Sequence, residues 1–78
     1  MEIKVFSTPV CPYCYSLKAF LEDKGFSFED IDISKDEKMK NYLLEKSGQM
    51  GVPAIEINGE MILGFDRAKI VKSLNIED

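Results

Sequence analysis

The residues able to do chemistry in this chain are Cys11 and Cys14, its two cysteines, which stand three positions apart in Cys11-Pro12-Tyr13-Cys14. They follow a β-branched and aromatic run, Ile3-Lys4-Val5-Phe6, and a turn, Ser7-Thr8-Pro9-Val10. They precede a segment with helical apolar spacing at Leu17, Phe20 and Leu21. A C-x-x-C at a strand-to-helix junction is the form of a thiol–disulfide centre. Proline suits the first helical position, where its missing N–H is no loss. The spacing therefore predicts that Pro12 starts a helix and that Cys11 is its N-cap. First-turn N–H groups and the positive end of the helix dipole would then face the Cys11 sulfur and favour a thiolate. Cys14, one turn deeper on the same face, is expected to be less exposed and less ionised. This makes Cys11 the expected nucleophile and Cys14 the resolving thiol.

Other uses of the pair are weaker. A structural bridge between positions 11 and 14 would close a very short loop, and the entropic gain from a bridge grows with loop length. Small stapled proteins also carry several bridges. A structural zinc site needs four Cys or His ligands, whereas the chain has two cysteines and no histidine. A cluster shared between two chains needs fewer ligands per chain and stays open.

Seventy-eight residues suffice for one domain, expected over 1–78, with one core. A net charge of −4, without a Lys/Arg cluster, argues against nucleic-acid or membrane-surface partners. With no histidine, any proton transfer falls to sulfur, carboxylate, Lys, Tyr or the helix dipole. No leader-like or membrane-spanning apolar stretch is visible, so the expected location is cytoplasmic. That compartment is reducing, which again favours a redox role for the cysteines.

The elements that must position this pair can be read in order. Residues 2–6 read as a buried strand, 7–10 as a loop, and 12–24 as a helix with Leu17, Ala19, Phe20 and Leu21 on its apolar face. Gly25 suits a left-handed helix end. Residues 27–32 read as a second strand with Phe28 and Ile31 inward. Ser34 and Glu37 form a capping-box pattern, predicting a helix over 35–47 with Met39, Tyr42 and Leu43 inward. Its other face, from Lys35 to Lys46, is a solvated charge run. Residues 54–57 and 60–63 flank Asn58-Gly59, a strong hairpin signal. After Gly64-Phe65, Asp66 can cap a last helix from 67 to about 75, with Ile70, Val71 and Leu74 inward. The order β-α-β-α-β-β-α implies a right-handed parallel crossover plus a hairpin, hence an α/β fold: a four-stranded mixed sheet flanked by three helices.

At this length the chain resembles the glutaredoxins, the small branch of the thioredoxin-like fold. The resemblance rests on Cys11-Pro12-Tyr13-Cys14, on Val52-Pro53 about forty residues later, and on Gly64-Phe65-Asp66 after the hairpin. It implies an enzyme, a glutathione-dependent disulfide oxidoreductase without a tightly bound cofactor, using glutathione as co-substrate. It implies a cis bond before Pro53. The Val52 backbone would pair with the cysteinyl backbone of glutathione as an added strand does. The N–H groups of Phe65 and Asp66, after Gly64, would meet its γ-glutamyl end, with the Asp66 carboxylate on the ammonium. Tyr13 would flank the groove, and Gln49 or Met50 would face the glycyl carboxylate. Disulfide-bearing or glutathionylated proteins would be the partners, and the chain would act as a monomer.

The chain also departs from the family pattern. Thr8 stands where many glutaredoxins have Lys, and Gln49 and Met50 stand where they often carry Arg or Lys. Gly51 replaces the usual Thr, and Leu63-Gly64 the usual Gly-Gly. The groove end meant for the glycyl carboxylate is therefore weakly charged. In these missing cations, and in Gly64-Phe65, the chain also resembles redoxins reduced by a flavoprotein such as thioredoxin reductase. A glutathione-assisted iron–sulfur carrier is a further alternative, for which the sequence carries no positive signal.

Overall fold

A computed structural model describes residues 2–49 and 51–76. The order is β1 (Ile3–Ser7), α1 (Pro12–Asp23), β2 (Glu29–Asp32), α2 (Glu37–Ser47), β3 (Ala54–Ile57), β4 (Glu60–Leu63) and α3 (Arg67–Leu74). The strands form one sheet in the order β2-β1-β3-β4. β1 runs parallel to β2 and antiparallel to β3, and β3 pairs antiparallel with β4. The four-stranded mixed sheet expected from the element order is present, in the thioredoxin-like architecture that the resemblance implies. Among the described residues no helix is long and apolar enough to cross a membrane.

Strand alternation explains the two-sided core, because successive side chains point to opposite faces. Ile3, Val5, Ile55, Ile57 and Ile62 turn toward α1 and α3, where they pack with Leu17, Phe20, Leu21, Ile70 and Leu74. Phe6, Ile31 and Ala54 turn the other way and pack with Leu43 of α2. Leu17 and Leu21 are fully buried, and each contributes about 1.5–3 kcal/mol by leaving water.

Several local expectations shift. Ala19 is exposed: it lies two residues from Leu17, across the helix from the buried stripe. Ser34 does not cap α2. Asp32 takes both the Ser34 N–H (2.9 Å) and its hydroxyl, which holds Ser34 in the preceding turn. Asp36 is the N-cap instead, accepting from the Met39 N–H at 3.1 Å. The second strand starts at Glu29 rather than 27, and the first spans 3–7 rather than 2–6. Phe28 and Ile31 both turn inward although their spacing puts them on opposite faces, because helices cover both faces. In the hairpin Asn58 and Gly59 both have positive φ, 49° and 91°, the backbone of a twist-matched two-residue turn.

Register sets the end of the sheet where chemistry can occur. Phe6 pairs with Ala54 and Ala54 with Leu63, so the chain leaves β1 through Ser7-Thr8, enters β3 through Pro53 and leaves β4 through Gly64, all at one end. The Gly64 N–H donates to the Pro53 carbonyl at 2.8 Å and ties two of these segments together. Both α1 and α3 begin at the same end.

Candidate active site

Cys11 stands at the N-cap of α1 with extended backbone (φ −109°, ψ 105°) and Pro12 behind it at the first helical position. Its Sγ accepts the Cys14 N–H at 3.3 Å, satisfying one of the orphan donors of the first turn. A hydrogen bond of this kind is roughly twice as strong when the acceptor carries charge. Both cysteines are free thiols. Cys11 is 8 % exposed and Cys14 only 1 %. Burial pushes the Cys14 thiol up to about 12, and its contact with Cys11 adds to this; a backbone hydrogen bond from Thr8 and the charge of Lys18 act in the opposite direction. Of the pair, Cys11 is the more accessible, and Cys14 is a protonated thiol at neutral pH.

The remaining sequence-derived residues are placed as follows. Tyr13 projects from the first turn and is 69 % exposed. The Val52–Pro53 peptide is cis, as the resemblance implies. Val52 is half-buried and Pro53 is buried. Gly64 and Asp66 are half-buried at the same end of the sheet. The Phe65 ring packs on Phe20, centroids 5.8 Å apart, so its side chain belongs to the core and only its backbone remains for a ligand. Asp66 caps α3 through the Lys69 N–H at 3.2 Å and faces the Lys69 Nζ at 3.9 Å. Gln49 is exposed after the end of α2; Met50 lies outside the described residues.

A polar cluster that the sequence does not announce lies on the flank of α1. Lys18 pairs with Asp30 at 3.0 Å, and Asp30 also accepts the Ser7 hydroxyl at 3.0 Å. Lys18 lies over the Tyr15 ring, 5.2 Å from its centroid, and the Tyr15 hydroxyl donates to the Pro9 carbonyl at 2.9 Å. The available signal was the four-residue step from Cys14 to Lys18. A groove of about 670 Å³ between β4 and α3 has neither cysteine in its walls.

A family model for glutaredoxins matches residues 3–62. With the dithiol at the helix start and the cis proline at the same sheet end, the class is that of thioredoxin-fold thiol–disulfide oxidoreductases. The chain belongs to the glutaredoxin family. It is 41 % identical over 70 residues to an uncharacterized glutaredoxin-like 8.6 kDa protein of the rubredoxin operon of Clostridium pasteurianum, covering 90 % of this chain and 93 % of that one. It is 33 % identical to glutaredoxin 3 of Escherichia coli K12, covering 83 % and 78 %. It is 42 % identical over 57 residues to N-acetyl-S-hydroxy-L-cysteine reductase of Bacillus subtilis, covering 73 % and 61 %. Among solved structures, a point variant of the thioredoxin-like protein BC3987 superposes with a TM-score of 0.92 at 36 % identity, covering 97 % of each chain. A buckwheat glutaredoxin–glutathione complex superposes at 0.76 and 26 % identity, covering 95 % of this chain and 70 % of that one.

Proposed function

We propose that this protein is a dithiol glutaredoxin that reduces protein disulfides and glutathione mixed disulfides, with glutathione as its electron donor. The observation that carries the reading is the Cys14 N–H on the Cys11 sulfur at the helix start. The Cys11 thiolate attacks a substrate disulfide R–S–S–R′; the Cys11–S–R bond forms and R′ leaves as a thiolate, faster the lower its pKa. Cys14 then gives up its proton and attacks the Cys11 sulfur, releasing the second thiolate and forming the 11–14 disulfide. Two glutathione molecules restore the dithiol and leave as glutathione disulfide. Glutathione would lie along the Val52 backbone, with its γ-glutamyl end at the start of α3 beside Phe65 and Asp66. Tyr13 would flank it.

A second reading keeps the dithiol chemistry and changes the donor to a flavoprotein reductase. Thr8 and the exposed, uncharged Gln49 favour it, because both stand where a cation would meet the glycyl carboxylate.

The test is steady-state reduction of a small glutathione mixed disulfide with glutathione and its reductase, with thioredoxin reductase assayed in parallel. N-acetyl-S-hydroxy-L-cysteine serves as a further small substrate, given the Bacillus subtilis relative. Turnover with glutathione supports the first reading. Turnover with the flavoprotein alone replaces it by the second, and activity with neither donor removes both.

A further inference from the structure

Resolution requires a thiol that the fold hides from water to lose its proton. Cys14 is 1 % exposed, and it belongs to the face of α1 that packs on the sheet. The one cation of α1 near it is Lys18, four residues on. Side chains at this spacing stack on one helix face, with Cβ atoms about 5–6 Å apart. Lys18 is held there rather than free to wave in solvent. Its Nζ pairs with Asp30 at 3.0 Å, its charge rests over the Tyr15 ring at 5.2 Å, and its side chain is 19 % exposed. Asp30 is in turn anchored by the buried Ser7 at 3.0 Å. A cleft of about 220 Å³ opens at this point, lined by Ser7, Thr8, Tyr15 and the Lys18–Asp30 pair among others. Thr8 is also the residue whose backbone hydrogen-bonds toward Cys14.

We infer that Lys18 is a positioning residue for the resolving step: its clamped charge stabilises the Cys14 thiolate as that thiolate forms, from the cleft side of α1. The inference rests on the dithiol reading above. In the step concerned, the Cys14 S–H bond breaks and its proton passes to solvent. The Cys14–Cys11 bond forms and the Cys11–S–R bond breaks. Cys14 is oxidised, and R leaves as the reduced thiolate with the electron pair. Lys18 exchanges no proton or electron; it acts through charge alone. The Cys11 sulfur has its own donor in the Cys14 N–H.

The groups facing the two partners are few. Cys14 meets Cys11 through its N–H and shares the face of α1 with Lys18; the charge of Lys18 and the Thr8 backbone hydrogen bond both act to lower the Cys14 pKa. Lys18 faces Asp30 and, more weakly, Asp32 from β2, and Tyr15 from its own helix. Carboxylates are ionised across neutral and alkaline pH, so the pH dependence of resolution follows Cys14.

The experiment is a stopped-flow measurement of the Cys11–glutathione mixed disulfide collapsing to the 11–14 disulfide, across pH 6–10 (roughly spanning ordinary thiol titration). Wild type, Lys18→Gln, Lys18→Met and Lys18→Arg are compared, with the alkylation rate of Cys11 as the control for an intact fold. Lys18→Gln keeps most of the stem and a donor for Asp30, so it removes little beyond charge. The expected result is resolution about tenfold slower at neutral pH in the Gln and Met variants, the size of one nearby charge in a partly screened site. The slowing should persist across this range, in which Cys14 is mostly protonated, Lys18→Arg should restore most of the rate, and Cys11 alkylation should stay within about twofold. Gln and Met variants that resolve as fast as wild type overturn the inference and leave the dithiol reading standing. Equal slowing in all three variants, Arg included, overturns it in favour of a packing role. A wild-type chain that never resolves the mixed disulfide overturns the dithiol reading and this inference together.

Discussion

The backbone N–H of Cys14 donates to the sulfur of Cys11 across 3.3 Å, so the first cysteine of the motif caps the helical turn that carries the second. The same helical turn thus places Cys11 at its cap and buries Cys14. The two thiols differ because one stands at a helix mouth and the other faces the sheet.

This asymmetry predicts the order of chemical modification. Iodoacetamide at neutral pH should label Cys11 at least about tenfold faster than Cys14, since the Cys14 thiol sits near 12 and is 1 % exposed. Mass spectrometry of partly labelled protein reads the ratio; equal labelling would remove the role assignment. In turnover, Cys11→Ser should abolish all activity, while Cys14→Ser should abolish protein-disulfide reduction and spare de-glutathionylation.

The carboxylate of Glu56 is buried, 4 % exposed, and is held by the Tyr42 hydroxyl at 2.8 Å and by Lys4 at 3.8 Å. Tyr42→Phe leaves that carboxylate short of a donor and should cost about 1–3 kcal/mol in urea unfolding. The hydrogen bond to Glu56, with burial second, pushes the Tyr42 phenol from 10.0 up to about 12. The folded state thus favours the protonated phenol. Its contribution is fully present below pH 10 and fades as pH rises through about 12. The gap between wild type and Tyr42→Phe should therefore narrow between pH 9 and 12, roughly the interval set by the two states. A gap that widens would contradict the assignment.

Asp66 has two separable roles. Asp66→Ala removes the cap of α3 and should lower stability by about 1 kcal/mol. Asp66→Asn keeps a capping oxygen and removes the charge. If the carboxylate meets the ammonium of glutathione, Asp66→Asn should raise KM for glutathione several-fold with the melting temperature nearly unchanged. An unchanged KM would leave Asp66 as a cap alone.

Thr8 offers a gain-of-function check. It is half-buried at the mouth of the site, on the loop before Cys11. If this end of the groove receives the glycyl carboxylate, Thr8→Lys should lower KM for glutathione by roughly two- to fivefold at low salt, the scale of one partly exposed charge pair, with the gain lost in high salt. No effect at any ionic strength would argue for a donor other than glutathione.

Cys11, Pro12 and Cys14 were readable because their signals are local: a proline that can only start a helix determines which cysteine caps it. The Asn58-Gly59 hairpin was readable for the same reason, since two positive φ angles suit few other residue pairs. The cap of α2 was not legible at Ser34, because Asp32 engages the Ser34 N–H and hydroxyl and leaves the N-cap to Asp36. The Lys18–Asp30–Ser7 cluster was not readable at all. Its members come from α1, β2 and β1, and only the parallel register of Ser7 with Asp32 brings them together.

By itself, then, the sequence determined the element order, the two thiols and which of them stands at the helix mouth, because these depend on backbone propensities within a few residues. The tertiary structure decided that Pro53, Gly64 and the starts of α1 and α3 share one end of the sheet. It also decided that Cys14 is buried beside a clamped lysine, and that Glu56 is sealed beneath Tyr42. These depend on strand register and on helices covering both faces, and no short-range preference encodes either.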